Sequence, residues 1–242
     1  MSAGVEPGRS ALSGSRGEIH SGGSPAAAPH MLGGADQPHR GRAARTARED
    51  PAMPITFAPD SPDRARLLDA IKARAIVHGR VTLSSGLESD WYIDLRRIGL
   101  AGATAPLAGR VMLEAVRSLE FDAVGGLTLG ADPVAAAMMH AAAADPGLVG
   151  GRGLDAFVVR KTEKAHGLQR RIEGPDIAGR RVLIVEDTST TGGSPLTAVE
   201  AARVAGAEVV AVAVIVERGA EKAIEAAGLP YYAVFGLTDL GL

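Results

Sequence analysis

The sequence contains no cysteine, which excludes disulfide bonds, a thiolate nucleophile and cysteine-based zinc sites. It also lacks an apolar run near the ~20 residues that a membrane-spanning helix needs, and no apolar secretory core is found near its start. The formal net charge of −2 over 242 residues provides no basic field for a nucleic-acid backbone. We therefore expect a soluble cytoplasmic protein that binds neither membranes nor nucleic acid. Its hydrophobic content of 46% is enough to bury a core.

Large apolar residues are almost absent from the first part of the chain, residues 1–55. Stretches such as "SGGSPAAAP" and "HRGRAARTARED" cannot bury enough apolar surface to offset the loss of chain entropy. This composition predicts a disordered, low-complexity tail, followed by one domain over residues 56–242. A later translation start, for example at Met31 or Met53, is an alternative that stays open.

Beyond the tail, helix-like and strand-like patterns alternate along the chain. Helical periodicity begins at "SPDRARLLDAIKARAI", where Ser61 is placed as the N-cap and Pro62 in the first turn. Further helical segments alternate with short strands that are apolar on both faces, for example "RRVLIVED" and "EVVAVAVIVERG". This alternation predicts an α/β domain with a central parallel sheet flanked by helices.

The most informative stretch is "VLIVEDTSTTGGS", residues 182–194, where a strand runs into two carboxylates, then hydroxyls and glycines, before a helix. Open parallel sheets bind ligands beyond the carboxyl ends of their strands, and the unpaired N–H groups of a helix start favour a phosphate. Because Glu186 and Asp187 would repel that phosphate, they should contact something beside it. A ribose 5-phosphate meets both needs if its 2- and 3-hydroxyls bind the acidic pair. Taken alone, the acidic pair Glu186 and Asp187 is as consistent with a cap or a magnesium site as with binding of the ribose hydroxyls.

The whole stretch resembles the phosphoribosyl-diphosphate (PRPP) signature of the type I phosphoribosyltransferases. The resemblance implies the fold of that family, with a small N-terminal hood, and PRPP as a substrate. It also implies a catalytic role for Asp187, since the carboxylates favour positive charge at the anomeric carbon of the sugar. The PRPP-binding residues that it implies here are Glu186, Asp187, Thr188, Ser189, Thr190, Thr191, Gly192, Gly193 and Ser194.

A second motif, "RKTEKAHG" at residues 160–167, gathers four potential cations after a predicted strand. A charge run is usually a solvated loop, but the pattern R-K-x-x-K-x-H-G resembles the mobile catalytic loop of the orotate phosphoribosyltransferases. In that family the loop closes over the active site of the neighbouring subunit, which implies a homodimer. The catalytic and PRPP-binding residues that the resemblance implies in this loop are Arg160, Lys161, Lys164 and His166.

Two further segments resemble the same family on the acceptor side. "HGRVTLSSGLESDWYIDLR" is similar to the hood, at about residues 78–100, with Tyr92 and Ile93 at positions that line the base and ribose site. "VERG" resembles the strand end whose arginine binds the orotate carboxylate, and this implies that role for Arg218. Thr190 matches a phosphate-loop position that also contacts orotate.

The sequence departs from the family pattern in two places. Many members carry a lysine where Ser84 stands, and a Tyr-Lys pair where Leu129 and Gly130 stand. Two lysines that contact PRPP are therefore missing. Arg170 and Arg171, at the far end of the basic loop, are candidate substitutes for them.

The resemblance covers roughly residues 62–242 and implies transfer of ribose 5-phosphate from PRPP to orotate. The products are orotidine 5-monophosphate and pyrophosphate, in a step of pyrimidine (UMP) biosynthesis. Magnesium is the implied cofactor, held through PRPP and without a direct protein ligand. Two alternatives stay open: a type I enzyme that acts on a purine base, and a regulator that senses PRPP without catalysis.

Overall fold

The computed structural model describes residues 55–82, 88–162 and 171–242. The predicted tail up to residue 54 lies outside this part of the chain, and so do Ser84, Lys164, His166 and Arg170. Within the described ranges, none of the helices combines the length and the apolar character that crossing a membrane requires.

Strands and helices alternate, as the sequence predicts. The strands are β1 (Thr56–Phe57), β2 (Ile76–Thr82), β3 (Glu88–Ile93), β4 (Ala123–Leu127), β5 (Asp155–Val159), β6 (Ile172–Glu173), β7 (Arg181–Ser189), β8 (Glu208–Glu217) and β9 (Tyr231–Phe235). The helices are α1 (Pro62–Arg74), α2 (Arg96–Gly99), α3 (Ala105–Ala115), α4 (Ala131–Ala144), α5 (Gly193–Val204), α6 (Glu221–Ala226) and α7 (Leu237–Leu240). A 3-10 turn covers Pro146–Val149.

A seven-stranded sheet in the order β1-β9-β8-β7-β4-β5-β6 forms the centre of the domain. Its strands pair in parallel, except that β6 runs antiparallel to β5. The predicted parallel sheet is therefore confirmed for its five central strands. The two edge strands, β1 and β6, have only two residues each and carry too little pattern to be recognised in the sequence.

Both faces of the sheet are covered, which explains why its central strands are apolar throughout. Along β7, Leu183 and Val185 belong to one core cluster, with side chains of α1, α3 and α4. Val182 and Ile184 alternate with them and join a second cluster, with side chains of α5 and α6. Full burial of each such side chain stabilises the fold by about 1.5–3 kcal/mol.

Helix α1 begins where the sequence predicts it. The Ser61 side-chain oxygen accepts a hydrogen bond of 3.1 Å from the Arg64 N–H, and Pro62 occupies the first helical position. Ser61 is thus an N-cap that satisfies one of the unpaired N–H groups of the first turn.

Strands β2 and β3 form a separate antiparallel pair, with Ile76 opposite Ile93 and His78 opposite Trp91. The pairing register shifts between His78 and Val81. This two-stranded sheet lies where the sequence predicts the hood. Its last residues lead into α2 at Arg96.

The carboxyl ends of β5, β4, β7 and β8 lie at one edge of the central sheet, because these four strands are parallel neighbours. Each is followed by one of the predicted site segments. The basic loop follows β5, Leu129 and Gly130 follow β4, the phosphate loop follows β7, and Arg218 follows β8. The topology therefore brings four distant parts of the sequence to the same edge.

Candidate active site

Strand β7 carries the acidic pair but extends two residues further than the sequence predicts. Thr188 pairs with Val216 and Ser189 with Glu217 of β8. Thr188 and Ser189 are therefore strand residues rather than loop residues. The prediction was wrong on this point because hydroxyl side chains suggested a turn, whereas pairing with the long neighbouring strand β8 extends the ladder.

Glu186 and Asp187 are two carboxyl groups largely withdrawn from water. Glu186 is 5% exposed, and burial together with the Asp187 charge raises its pKa to about 8. Burial also raises the pKa of Asp187, although the Thr188 N–H donates to its Oδ1 at 2.6 Å and Arg96 favours its charged form. Two such acids suit ligands that donate hydrogen bonds or bring positive charge.

Gly130 lies directly against this pair. A Cβ atom at this position would be 2.4 Å from Glu186 Oε1 and 2.8 Å from Asp187 Oδ1. Its φ of −64° and ψ of −43° suit any residue, so a side chain here is opposed only by the ends of these two carboxylates, which would have to shift. The lysine that many members of the resembled family carry here would fit only if the ends of these two acidic side chains moved.

The start of α5 lies where the sequence predicts an anion site. Gly192 is its N-cap and has a φ of 77°, a left-handed conformation that a residue with a Cβ adopts only at a cost. Thr190, Thr191, Gly193 and Ser194 are exposed around this turn, and Gly192 is buried. The first N–H groups of a helix carry partial positive charge and lack partners within the helix, so this turn can hold a phosphate.

Arg218 follows β8 and faces the hood. Its guanidinium carbon lies 5.3 Å from the centre of the Trp91 ring, and its backbone N–H donates to the Ser189 carbonyl at 3.0 Å. The side-chain Nε is buried and has no hydrogen-bond partner among the described residues. Burial lowers the pKa of this guanidinium. A buried donor of this kind is satisfied when an anion binds.

The two ends of the basic loop are held together by β5 and β6. Arg160 donates its backbone N–H to the Arg171 carbonyl at 2.8 Å, and its side chain forms a 3.1 Å salt bridge with Glu173. Arg171 in turn donates from Nε to the Arg160 carbonyl at 3.2 Å. Arg171 thus closes the base of the loop, and its expected role as a substitute for a missing lysine stays a prediction. Lys161 is exposed at the same base.

Among the described residues, acidic side chains beside the pair do not assemble into a metal site of their own. Asp132 accepts a 2.7 Å hydrogen bond from the Thr128 hydroxyl at its Oδ2, and its charge also raises the pKa of Glu186. Over residues 55–82, 88–162 and 171–242, no three or more His, Cys, Asp or Glu side chains are placed to hold a metal ion.

Comparison with known proteins identifies the family. The family model described as "Phosphoribosyl transferase domain" matches residues 112–228. The orotate phosphoribosyltransferase of Streptomyces coelicolor is 67% identical over 182 residues, which cover 74% of this chain and 97% of that relative. This chain belongs to the orotate phosphoribosyltransferase family.

Solved structures of orotate phosphoribosyltransferases share the fold. The Mycobacterium tuberculosis H37Rv enzyme in complex with PRPP matches with a TM-score of 0.63 at 51% identity, over 75% of this chain and 100% of that chain. A phosphoribosyltransferase from Corynebacterium diphtheriae matches with a TM-score of 0.66 at 50% identity, over the same shares. The predicted family and fold are thus confirmed.

Three contacts near the site of this orotate phosphoribosyltransferase family member were not predicted from the sequence. Trp91 contacts Arg218, Arg96 favours the charged form of Asp187, and Gly130 packs on the acidic pair. Strand alternation places Trp91 on the same face as Ile93, which is buried in the main core, and Tyr92 on the opposite face. That period-2 pattern was the signal available for Trp91.

We expect Gly130→Ala to fold normally but to lower kcat/KM for PRPP by about 10-fold, because the ends of the Glu186 and Asp187 side chains must move. Gly153→Ala is the matched control, since a Cβ at Gly153 meets nothing within 4 Å. Steady-state kinetics with varied PRPP measure the effect. Equal kinetics for the two variants would show that the acids tolerate displacement.

Proposed function

We propose that this chain transfers ribose 5-phosphate from PRPP to a ring nitrogen of orotate, giving orotidine 5-monophosphate and pyrophosphate. One observation carries the proposal. The partly buried guanidinium of Arg218, with an unsatisfied Nε among the described residues, follows the strand adjacent to the buried acidic pair. A cation for the carboxylate of the acceptor and two acids for the sugar are therefore neighbours. The PRPP complex of the M. tuberculosis relative supports the choice of donor.

The donor binds along β7 and the start of α5. The 5-phosphate accepts hydrogen bonds from the first N–H groups of α5 and from the hydroxyls of Thr190, Thr191 and Ser194. Glu186 and Asp187 accept hydrogen bonds from the ribose 2- and 3-hydroxyls. The Thr188 Oγ1 is buried without a hydrogen-bond partner in the described residues, so a sugar or phosphate oxygen would satisfy it.

The acceptor binds between β8 and the hood. Arg218 pairs with the orotate carboxylate, because a planar guanidinium matches a planar carboxylate with two parallel hydrogen bonds. Thr190 contacts orotate from the phosphate loop. It lies close to the strand end that carries Arg218, since a Cβ on Gly219 would be 3.3 Å from the Thr190 carbonyl.

The basic loop binds the leaving pyrophosphate, and magnesium would add positive charge beside it. Magnesium fits this site because the buried acids, whose pKa values are raised, are stabilised by nearby positive charge. Held through PRPP, it would supply positive charge that neutralises part of the pyrophosphate charge. Arg160, Lys161, Lys164 and His166 contribute the protein's own positive charge. The loop acts on the neighbouring subunit of a homodimer.

The bond between C1 and the pyrophosphate oxygen breaks first, with its electron pair passing to that oxygen. Positive charge then develops on the sugar, where Glu186 and Asp187 favour it. The orotate ring nitrogen gives up its proton, and its electron pair forms the new bond to C1. Lys164 and His166 stabilise the departing oxygen and supply it with a proton. Stabilisation of developing charge by one well-placed donor contributes about 10²–10³ in rate, and closure of the loop excludes water that would hydrolyse the sugar.

The decisive assay is pyrophosphate release from PRPP, measured with orotate, uracil or adenine, each with and without magnesium. We expect rapid release with orotate and magnesium only, because Arg218 requires an anionic acceptor. Release with adenine instead would identify a purine enzyme. PRPP binding in calorimetry without release for any base would identify a sensor of PRPP, and either result would contradict the proposal.

A further inference from the structure

Arg218 lies under an aromatic side chain rather than beside an acid. The Trp91 ring centre is 5.3 Å from the guanidinium carbon, within the range of a cation–π contact. Within the described ranges, Arg218 forms no salt bridge, and its Nε has no partner. The positive charge is thus held by a ring face, which leaves the edge of the guanidinium free of an internal carboxylate.

Glu217, the acidic residue next to Arg218 in the sequence, forms hydrogen bonds with other residues. Glu217 accepts a hydrogen bond from the Tyr231 hydroxyl and another from the Gly219 N–H. It also accepts a weaker bond of 3.4 Å from the Glu221 N–H. These contacts fix the turn that follows β8 and keep the Glu217 carboxylate from competing for the guanidinium.

The hood holds the position of Trp91. The residue lies in β3 opposite His78 of β2, and its side chain packs against the main core cluster. Ile93, on the same face of β3, is 6% exposed and anchors the strand in that core. The ring is therefore supported by a paired strand rather than by a loop.

We propose that Trp91 is a positioning residue that determines acceptor specificity, since its ring orients Arg218 so that the guanidinium edge meets the carboxylate of the base. The inference rests on the proposed function and extends it from Arg218 to the hood. An aromatic ring stabilises the face of the guanidinium without neutralising its charge. A carboxylate in the same place would instead take the N–H donors at the guanidinium edge. Orotate is consequently favoured over bases that lack a carboxylate.

Kinetics of Trp91→Leu and Trp91→Phe test this role. We expect Trp91→Leu to raise KM for orotate about 5- to 20-fold and KM for PRPP less than about 2-fold, because the lost cation–π contact acts on Arg218 and not on the PRPP site. Trp91→Phe retains an aromatic face, so its KM for orotate should stay close to that of the unmodified protein. Phe121→Leu is the control for lost packing, since Phe121 is a 7% exposed core aromatic that precedes β4. It should lower the unfolding free energy and leave both KM values unchanged.

Fluorescence gives a second, direct measurement, because Trp91 is the sole tryptophan of the sequence. Titration of the unmodified protein with orotate should change its emission, and Arg218→Gln should abolish that change. Equal increases of both KM values in Trp91→Leu, or an unchanged KM for orotate, would overturn the positioning role while the proposed function stands. Absence of orotate-dependent pyrophosphate release from the unmodified protein would overturn the proposed function, and this inference with it.

Discussion

Arg218→Gln is expected to raise KM for orotate by about 100-fold or more and to change KM for PRPP little. The guanidinium is partly buried, and burial lowers its pKa, so the charge is maintained at an energetic cost that a bound carboxylate offsets. Glutamine keeps one donor but loses the charge and the planar pair of donors. Loss of one partner of a desolvated, hydrogen-bonded charge pair costs about 2–5 kcal/mol in binding, which corresponds to this change in KM.

The measurement is steady-state pyrophosphate release with orotate and PRPP varied separately. Arg203→Gln is the matched control, because Arg203 is exposed in the last turn of α5, at the opposite end of the helix from the phosphate site. The control should keep both KM values. Parallel increases in the two KM values of Arg218→Gln would contradict the assignment of this residue to the acceptor.

The central fold could be predicted because the strands that build it are apolar on both faces. Leu183 and Val182 are neighbours in sequence but pack on opposite sides of the sheet. Consecutive apolar residues in a strand are typical of a parallel sheet that is covered on both faces. Helix α1 was predictable for a different reason, since Ser61 and Pro62 act locally within one turn. Both signals are contained within a short stretch of sequence.

The parts that the sequence did not predict depend on distant contacts. Strand β6 exists because Ile172 and Glu173 pair with β5, and two residues have no periodicity of their own. The role of Gly130 is clear only when β4 and β7 are neighbours, because the atoms that exclude a side chain belong to Glu186 and Asp187. Sequence comparison with the family suggested a missing cation at this position, and the packing shows that any side chain here would displace the ends of both carboxylates.

The residues of the candidate site likewise divide into those that one stretch of sequence predicts and those that depend on contacts between distant segments. Glu186, Asp187 and the start of α5 are adjacent in sequence, so their association was predictable from one stretch. The contact between Trp91 and Arg218 joins the hood to β8, and the period-2 pattern of β3 indicates the face on which Trp91 lies but not its partner. Lys164 and His166 lie outside the described residues, so their roles stay predictions.

Asp187→Asn should weaken PRPP binding while stabilising the fold. Asparagine keeps the size of the side chain and can still accept the hydrogen bond from the Thr188 N–H, which is 2.6 Å from Asp187 Oδ1. It loses the charge that strengthens hydrogen bonds to the ribose hydroxyls, so we expect PRPP affinity to fall about 100-fold. The buried charge is also unfavourable beside Glu186, because burial raises the pKa of Asp187 in the folded protein. Its removal should therefore increase the free energy of unfolding.

The pH dependence of that stability gain has a definite sign. Because the pKa of Asp187 is raised on folding, its ionisation destabilises the fold above the ordinary value of 3.8, and the penalty disappears below it. Urea unfolding should thus show a more stable Asp187→Asn at pH 8 and no difference from the unmodified protein near pH 3. Asp69→Asn, on the exposed face of α1, is the control and should change neither stability nor PRPP affinity measured by calorimetry. A less stable Asp187→Asn with unchanged PRPP affinity would show that the carboxylate serves the fold rather than the sugar.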